Sequence, residues 1–252
     1  MDIAVITGAS SGMGREFVYA VDREYSLDEI WIIARRGGRL SEIASELRTK
    51  TRVLDWDLTQ TTSLERYRAL LEENDPHIRL LINSAGIGLF GAFEKLDLDE
   101  QLKSIDLNDR ALTAMCNLSL PYMDRGDSIV NMGSNSSWQP VPYINTYAAT
   151  KAYVLSFSRA LGKELAGRGI HVMCVCPGWV DTEFMLHARV DDTITYFDRW
   201  YTARQVVERA MKDLAKKKKI CIPGLPVRMQ VALVKILPPE LVMAIWVKQQ
   251  KH

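Results

Sequence analysis

The sequence predicts a single α/β domain of 252 residues, built on a doubly wound parallel β-sheet of about seven strands with helices on both faces. Short apolar runs alternate along the chain with amphipathic stretches, which is the pattern of parallel sheets. The runs are apolar throughout, as strands covered on each side by helices must be. Polar and glycine-rich segments follow the runs directly, at the carboxyl ends where such sheets bind ligands.

Seven runs are predicted to form the strands, at residues 3–6, 29–34, 52–56, 79–83, 128–132, 170–176 and 220–222. Amphipathic stretches predict the helices between them, at residues 15–26, 39–50, 61–74, 98–123, 146–168 and 202–218. Within the single domain 1–252, the motifs divide the chain into a core at 1–182, an aromatic flap at 183–201 and a helical tail at 226–252.

The composition is that of a globular protein with a sizeable core, because 47% of the residues are hydrophobic and 25% are charged. A net charge of +1 gives no electrostatic support for a nucleic-acid partner. The cysteines show neither Cys-x-x-Cys nor paired Cys/His spacing, so no metal site is predicted, and Cys174 and Cys176 are expected to be small buried residues. The amino terminus leaves no room for a secretory signal, which predicts a reduced, cytoplasmic protein.

A glycine-rich turn, TGASSGMG, lies between the first strand and the first helix. Its glycines, at positions 8, 12 and 14, permit a tight turn and the close approach of the backbone to a pyrophosphate, which the helix N-terminus attracts. The spacing is G-x-x-x-G-x-G, and Gly/Ser loops of other kinds are common. Its position between a strand and a helix favours a dinucleotide site.

The end of the second strand indicates which dinucleotide binds. An NAD site usually has an acid there to accept from the ribose 2′-hydroxyl. This sequence has Arg35 and Arg36 instead, with Arg39 nearby and no carboxylate. Guanidinium groups suit a 2′-phosphate, so NADP(H) is preferred. The alternative is that these arginines are ordinary solvated surface charges.

Tyr147 and Lys151 lie four residues apart at the start of a predicted helix and so share one helix face. A phenol has an unperturbed pKa of about 10. A neighbouring ammonium lowers that value, which makes Tyr147 a candidate general acid/base. Ser134 follows the fifth strand and would hold a carbonyl oxygen. Ser136 and Ser137 are rivals for that role, although the spacing to Tyr147 favours Ser134.

These motifs, taken together, resemble the short-chain dehydrogenase/reductase family. They occur in the family's order over residues 1–182, and they are TGASSGMG, Asp57 in WDLT, NSAG at 83–86, Asn108 in IDLN, Ser134, YAATK at 147–151 and PGWVDT at 177–182. Ser84 departs from the pattern, because the family more often has asparagine there. The resemblance implies a Rossmann fold, NADP(H) as cofactor, and a homodimer or homotetramer paired through the helices after the fourth and fifth strands.

The resemblance also implies a set of cofactor-binding residues. They are Gly8, Ser10, Ser11, Gly12, Met13, Gly14, Arg35, Arg36, Asp57, Leu58, Asn83, Ala85, Gly86, Tyr147, Lys151, Pro177, Gly178, Val180 and Thr182. The glycine turn would wrap the pyrophosphate, and Asp57 would bind the adenine amino group. Asn83 would lie beside the adenosine ribose, and Val180 and Thr182 would bind the nicotinamide carboxamide.

The catalytic set implied by the resemblance is Asn108, Ser134, Tyr147 and Lys151. Lys151 would hold the nicotinamide ribose and lower the pKa of Tyr147, which moves the proton. Ser134 would position the carbonyl oxygen. Asn108 would hold a water that joins Lys151 to bulk solvent, through a local distortion of its helix.

Substrate contacts are expected from the catalytic stretch and the aromatic flap. The predicted residues are Ser134, Trp138, Tyr147, Trp179, Phe184, Met185 and Phe197. Such a flap would close over a lipophilic substrate such as a steroid or bile acid, an acyl chain or a small aromatic ketone. The alternative is that half of these rings simply pack the flap against the core.

The tail has two apolar segments split by Pro238 and Pro239, and neither reaches the roughly 20 residues of a membrane span. The tail is expected to pack on the core or on another subunit, or else to lie on a membrane surface with Lys216 to Lys219 and Lys248. The predicted function is an NADP(H)-dependent oxidoreductase that interconverts a ketone and a secondary alcohol on a lipophilic substrate. The alternatives are a non-catalytic NADP(H)-binding sensor and a reductase peripheral to the membrane.

Overall fold

Seven parallel strands form the centre of the computed structural model, which describes residues 1–250. Two further short strands lie outside this sheet, and the nine strands of the described residues are β1 (Asp2–Thr7), β2 (Glu29–Ile33), β3 (Thr51–Leu54), β4 (His77–Asn83), β5 (Ser128–Met132), β6 (His171–Val175), β7 (Trp179–Asp181), β8 (Trp200–Thr202) and β9 (Ile220–Cys221). The large sheet has the order β3-β2-β1-β4-β5-β6-β9, while β7 and β8 pair separately. The predicted α/β class and all seven predicted strands are confirmed.

Helices cover both faces of this sheet, and further short helices form the flap and the tail. They are α1 (Gly12–Glu24), α2 (Gly37–Glu46), α3 (Thr61–Asn74), α4 (Leu98–Ile105), α5 (Leu112–Ser119), α6 (Asn145–Glu164), α7 (Phe184–Ala188), α8 (Ala203–Ala215), α9 (Leu225–Val234) and α10 (Pro239–Gln249). A single helix was expected over residues 98–123. The structure instead joins α4 to α5 through a π-helical turn, Asp106–Ala111, and ends in a 3₁₀ turn at Leu120–Tyr122.

Successive side chains along each strand face opposite sides of the sheet, which divides the core into two layers. Val5 and Ile33 face one layer, while Ile6 and Ile32 face the other, and all four are fully buried. Helices on both sides are needed to cover such strands, which is why the sheet is doubly wound. Strand β1 lies between β2 and β4, so the chain connections to these two neighbours run to opposite sides of β1. The crevice at the carboxyl ends of β1 and β4 is therefore the topological switch point.

The small sheet of β7 and β8 was not predicted. Each of its strands has only three residues, too few for an alternating pattern to show in the sequence. Their pairing places the two ends of the flap side by side. The helix that follows, α8, is anchored by a capping box in which Thr202 and Gln205 exchange hydrogen bonds.

The tail packs its inner face on the body of the protein and leaves an apolar outer face. Val227, Val231 and Val242 are buried. The exposed row consists of Leu225, Met229, Leu233, Ile236, Leu241 and Ile245. None of the helices in residues 1–250 is both long and apolar enough to cross a membrane.

The basic segment from Lys216 to Lys219 does not belong to the tail surface. Lys217 Nζ donates to Gly126 O and to Ser128 Oγ at the start of β5, so this segment lies at the amino edge of the sheet. The tail begins beyond the carboxyl end of β9. Strand β9 thus separates this segment from the start of the tail along the chain, and contact of the tail with a membrane surface stays a prediction.

An ion-pair network ties the amino ends of β1, β4 and β5 together. His77 bridges two carboxylates, with Nδ1 2.9 Å from Asp2 Oδ1 and Nε2 2.8 Å from Asp127 Oδ2. Arg79 also contacts both, at 2.9 Å and 3.0 Å. Burial alone lowers the pKa of His77, but its hydrogen bonds to the two carboxylates outweigh burial and leave the pKa raised.

This network predicts a pH dependence of folding stability. The contribution of His77 is fully present below its unfolded pKa of about 6.5 and is lost as the pH rises through the higher folded pKa. The urea midpoint of the wild type relative to His77→Gln should therefore fall between about pH 6 and about pH 8. A difference that stays constant over this range would contradict the assignment.

Candidate active site

A cavity of about 990 Å³ opens at the carboxyl ends of the central strands, where the strand order reverses. One end is lined by the glycine turn and the residues after β2 and β3. The other end is lined by the residues after β5 and by the flap and the tail. The cavity therefore joins a polar, phosphate-sized region to an aromatic region.

The glycine turn fits closely against the end of β4. Gly8 has φ +69°, and a Cβ placed on it would lie 2.7 Å from the backbone nitrogen of Ala85. A Cβ on Gly14 would lie 2.1 Å from Gly8 O. Thr7 Oγ1 accepts hydrogen bonds from the amides of Ser84 and Ala85 at 3.1 Å and 3.0 Å. The first helix starts at Gly12, so its free amides point into the cavity.

The arginines after β2 lie at the rim of this polar end. Arg36 donates to Ser10 Oγ at 3.0 Å and to Ser11 Oγ at 2.7 Å. Arg35 is exposed on the cavity wall and forms no ion pair within residues 1–250. The region thus presents guanidinium groups beside the glycine turn, which is the donor set that suits a phosphate.

The expectation that no carboxylate lies near these arginines is wrong. Glu183, 147 positions after Arg36, pairs with Arg36 Nη1 at 2.6 Å and with Arg39 Nη1 at 2.6 Å and 2.8 Å. Hydrogen bonds from the two arginines hold the pKa of Glu183 at about 2. Sequence reasoning considered only neighbours of the second strand. Glu183 lies on the flap, far along the sequence, and no pattern of nearby residues identifies it as the partner of these arginines.

Most of the remaining predicted cofactor residues also line the cavity. They are Ser10, Ser11, Gly12, Met13, Gly14, Asp57, Leu58, Ala85, Gly86, Tyr147, Lys151, Pro177, Gly178, Val180 and Thr182. Asn83 is the exception, because its side chain is buried behind the wall. It donates to Asn131 Oδ1 at 2.9 Å and to Cys116 Sγ at 3.3 Å. Asn83 therefore ties β4 to its neighbours, and Ala85 and Gly86 form the wall.

Lys151 lies deep in the cavity at the second turn of α6. Its side chain is 5% exposed, and Nζ donates to Met132 O at 2.8 Å. Nζ also lies 5.6 Å from the ring centroid of Tyr147. Burial lowers the pKa of Lys151 to about 8, so the ammonium form still predominates at neutral pH.

The predicted lowering of the Tyr147 pKa by Lys151 is not what the structure shows. Burial raises the pKa of Tyr147 to about 12, and a hydrogen bond with the Ser134 side chain acts in the opposite direction. The cause is desolvation, which disfavours the phenolate more strongly than the site stabilises it. Tyr147 is therefore a protonated phenol at neutral pH, in a state to donate.

Ser134 begins the 3₁₀ turn Asn135–Trp138 as its N-cap. Its Oγ accepts from the amide of Ser136 at 3.1 Å, and its own amide donates to Ser137 Oγ at 3.1 Å. Ser137 is thereby occupied in the cap and does not line the cavity, whereas Ser136 lines it with a hydroxyl that has no protein partner. Of the three serines, Ser134 is the one whose side chain acts to lower the pKa of Tyr147.

Asn108 lies one layer behind the cavity wall, in the π-helical turn. Its Oδ1 accepts from the amide of Ile87 at 3.0 Å, and its Nδ2 donates to Ile87 O and Thr150 Oγ1 at 2.8 Å and 3.0 Å. A Cβ on Gly86 would lie 3.1 Å from Asn108 Oδ1 and 3.4 Å from Lys151 Nζ. The helix distortion expected at this position is present, and the water relay stays a prediction.

The aromatic end of the cavity differs from the predicted set. Trp179, Phe184 and Met185 line it, but the predicted Trp138 and Phe197 do not. Trp138 packs on the core beneath Lys235 Nζ, which lies 3.9 Å from its ring, because the 3₁₀ turn directs it away. Phe197 lies edge-on against Trp179 behind the cavity wall, with ring centroids 4.9 Å apart.

Two further aromatic residues of this end were missed. Phe90 lies edge-on to Tyr147 at 5.6 Å, and Trp246 reaches the cavity from the tail and is fixed by a hydrogen bond to Pro142 O at 3.0 Å. A Cβ on Gly88 would meet the Tyr147 ring at 2.6 Å. Phe90 follows the NSAG motif closely, which is the signal that could have identified it. Trp246 lies 64 residues beyond the last motif, which ends at Thr182.

Acidic, histidine and cysteine side chains in the described part of the chain form no group able to hold a metal ion. Cys174 and Cys176 are buried as expected, with their sulfurs 3.7 Å apart. The polar groups that line the cavity include hydroxyl, ammonium, guanidinium, carboxylate, carboxamide and backbone amide groups.

Comparison with known proteins agrees with this geometry. A sequence model of the family described as short chain dehydrogenase matches residues 2–192. Sulfoacetaldehyde reductase 2 of Chromohalobacter salexigens is 34% identical over 194 residues, covering 73% of this chain and 75% of that protein. The family match ends inside the flap, ten residues beyond the end of the last motif at Thr182.

Two solved structures are similar over nearly the whole chain. The short-chain dehydrogenase from Sphingobium yanoikuyae in complex with NADPH has a TM-score of 0.80 at 28% identity and covers 94% of this chain and 96% of its own. The bulky-bulky ketone specific alcohol dehydrogenase from Comamonas testosteroni has a TM-score of 0.74 at 26% identity, with 94% and 95% covered.

The close fit of the glycine turn predicts a graded stability series. Gly38→Ala meets no atom within 4 Å, Gly126→Ala adds only the strain of φ +104°, and Gly8→Ala adds both a positive φ and a backbone clash. We expect no loss of unfolding free energy for the first, about 1 kcal/mol for the second and about 3 kcal/mol or more for the third. Urea denaturation measures all three, and equal losses at Gly8 and Gly126 would contradict the proposed clash.

Proposed function

Because the chain belongs to the short-chain dehydrogenase family, we propose that it is an NADP(H)-dependent oxidoreductase that interconverts a ketone and a secondary alcohol on a lipophilic substrate. The observation that carries the proposal is the convergence of Ser134, Tyr147 and Lys151 at one end of the cavity. A hydroxyl donor, a protonated phenol and a buried ammonium form the set needed to hold and protonate a carbonyl oxygen.

The polar end of the cavity fits a dinucleotide. The surrounding backbone leaves no space for a Cβ at Gly8 or Gly14. Glycines at such positions let the chain bring its backbone amides close to a pyrophosphate. Arg35 and Arg36 provide donors for a 2′-phosphate, which supports the choice of NADP(H). The similar dehydrogenase from Sphingobium yanoikuyae was solved with NADPH, and this also supports the choice.

In the proposed reduction, the bound nicotinamide supplies the hydride, and the residues of the chain hold the carbonyl and deliver the proton. Ser134 donates a hydrogen bond to the carbonyl oxygen. Tyr147 donates its proton to the same oxygen, and the pKa of about 12 keeps that proton in place until negative charge develops. Lys151 holds the nicotinamide ribose hydroxyls. In the reverse direction Tyr147 accepts the proton of the alcohol.

The aromatic end supports a lipophilic substrate. Phe90, Trp179, Phe184 and Trp246 line it, and such surfaces bind apolar rings or chains by excluding water. The similar alcohol dehydrogenase from Comamonas testosteroni is described as specific for bulky-bulky ketones, which supports a ketone as the reacting group. A sensor that binds NADP(H) without turnover has no use for a buried proton donor, so an enzyme is favoured over it.

The test is NADPH oxidation, with NADH in parallel, across steroid, bile-acid, acyl and small aromatic ketones. Tyr147→Phe removes the proton donor and leaves the ring packing intact. Its turnover should fall at least about 100-fold, while NADPH affinity changes little, because general acid catalysis contributes about that factor or more. Tight NADPH binding without oxidation by any ketone class would favour the sensor, and unchanged turnover in Tyr147→Phe would exclude the proton-transfer role.

We also propose that the protein pairs with a second copy through α4 and α6. These helices leave large apolar side chains exposed, including Leu98 at 65%, Leu102 at 50% and Tyr153 at 42%. Exposed apolar rows of this kind typically mark protein contacts. The four cysteines are all buried and free, which supports the proposed location in a reducing, cytoplasmic compartment.

Light scattering after size exclusion tests the pairing. Leu102→Glu should yield monomer because it places a charge in the proposed interface, whereas the wild type should be a dimer or tetramer. Ile236→Glu, on the exposed row of the tail, is the matched control and should keep the wild-type mass. Dissociation by Ile236→Glu alone would assign the interface to the tail instead.

A further inference from the structure

The ion pairs of Glu183 occupy the donors that a 2′-phosphate would need. Glu183 Oε2 lies 2.6 Å from Arg36 Nη1 and 2.8 Å from Arg39 Nη1, and Glu183 Oε1 lies 2.6 Å from Arg39 Nη1. Arg36 also reaches Ser10 and Ser11 in the glycine turn. The carboxylate therefore lies at the edge of the adenosine end, although its sequence position is at the start of the flap.

A 2′-phosphate and this carboxylate cannot share Arg36 without repulsion. Both groups accept hydrogen bonds from guanidinium, and two anions at contact distance disfavour each other. Because the two arginines hold the pKa of Glu183 at about 2, the carboxylate stays charged at any pH at which the protein is assayed. A phosphate that binds Arg36 therefore has to displace Glu183 or accept its repulsion.

The same carboxylate favours a ribose 2′-hydroxyl, although it disfavours a 2′-phosphate. An NAD site uses a carboxylate to accept a hydrogen bond from that hydroxyl. The residues after β2 contain no such acid, but Glu183 brings one to their guanidinium groups. The single side chain thus opposes a phosphate and offers an acceptor to a hydroxyl.

We propose that Glu183 is the residue that sets the cofactor preference of this protein, by competing with the 2′-phosphate of NADP(H) for Arg36 and Arg39 while accepting from the 2′-hydroxyl of NAD(H). The inference rests on the proposed function, since it assumes a nicotinamide dinucleotide in this cavity. The preference for NADP(H) then depends on two opposing effects. Arg35, which forms no ion pair within the described residues, favours binding of the 2′-phosphate, and Glu183 disfavours it.

The solvent exposure of the three side chains limits how strongly Glu183 can change the affinity for the 2′-phosphate. The side chains of Arg36, Arg39 and Glu183 are 41%, 47% and 37% exposed, so solvent screens their interactions. We therefore expect a change of about tenfold in affinity, not several orders of magnitude, which corresponds to about 1.4 kcal/mol.

The test compares two adenosine fragments that need no turnover. Adenosine 2′,5′-bisphosphate carries the 2′-phosphate, and 5′-AMP carries the free 2′-hydroxyl. Calorimetric titration of the full chain should show that Glu183→Gln binds the bisphosphate about tenfold more tightly than the wild type does. Its affinity for 5′-AMP should stay the same or fall. Glu183→Ala, which also removes the acceptor, should behave the same way and weaken 5′-AMP further.

Asp192→Asn is the matched control. It removes a carboxylate from the same flap, where Asp192 pairs only with Arg189 within residues 1–250, and it should leave both affinities unchanged. An equal gain for both fragments in Glu183→Gln, or weaker binding of the bisphosphate, would overturn the inference. Weaker binding would mean that Glu183 orients the arginines for the phosphate.

The results distinguish a failure of this inference from a failure of the proposed function. A wild type that prefers NADH would contradict the proposed NADP(H) preference, yet a shift towards the bisphosphate in Glu183→Gln would still support the role of Glu183. A wild type that binds neither dinucleotide would overturn both. The ratio of kcat/KM for NADPH and NADH in the same variants should follow the fragment affinities.

Discussion

The contact between the glycine turn and the end of β4 is the constraint on which the rest of the site depends. Gly8 approaches Ala85 so closely that no other residue fits, and Thr7 fixes the turn through the amides of Ser84 and Ala85. This contact lies at the reversal of strand order, where two neighbouring connections leave the sheet on opposite sides. It therefore helps to form the crevice and, at the same time, the backbone surface that is proposed to bind a pyrophosphate.

Burial has opposite consequences for the two ionisable groups at the other end. Desolvation favours the neutral form of every group, so it raises the pKa of Tyr147 to about 12 and lowers that of Lys151 to about 8. The phenol keeps its proton, while the ammonium is close to losing one. Paired pKa shifts of this kind, in opposite directions, are typical of functional sites.

The sequence was sufficient wherever a property was local. Strand and helix alternation, the turn at Gly8 and the pairing of Tyr147 with Lys151 all depend on residues a few positions apart, and the structure contains each of them. The pKa of Tyr147 was predicted in the wrong direction, because the expected effect of Lys151 was considered without the burial of both groups. Burial is a property of the whole fold and cannot be obtained from spacing.

Errors at the aromatic end have a related cause. Trp138 was assigned to the cavity because it flanks the catalytic stretch, and Phe197 because it belongs to the aromatic flap, but side-chain direction depends on local turns. Trp246 and Glu183 were missed because the tail and the flap bring them in from far along the sequence. Asn83 matched a motif and yet serves to join strands. Proximity in sequence was thus a poor guide wherever a loop determined the position.

The segment from Thr182 to Phe184 connects the two ends of the cavity. Thr182 lies against the glycine turn, where a Cβ on Gly12 would be 3.2 Å from its Cγ2. The next residue, Glu183, pairs with Arg36 and Arg39, and Phe184 packs against Tyr147 with centroids 5.5 Å apart. Three consecutive residues thus contact the glycine turn, the arginines after β2 and the candidate proton donor, so this short segment spans the cavity from its polar end to its aromatic end.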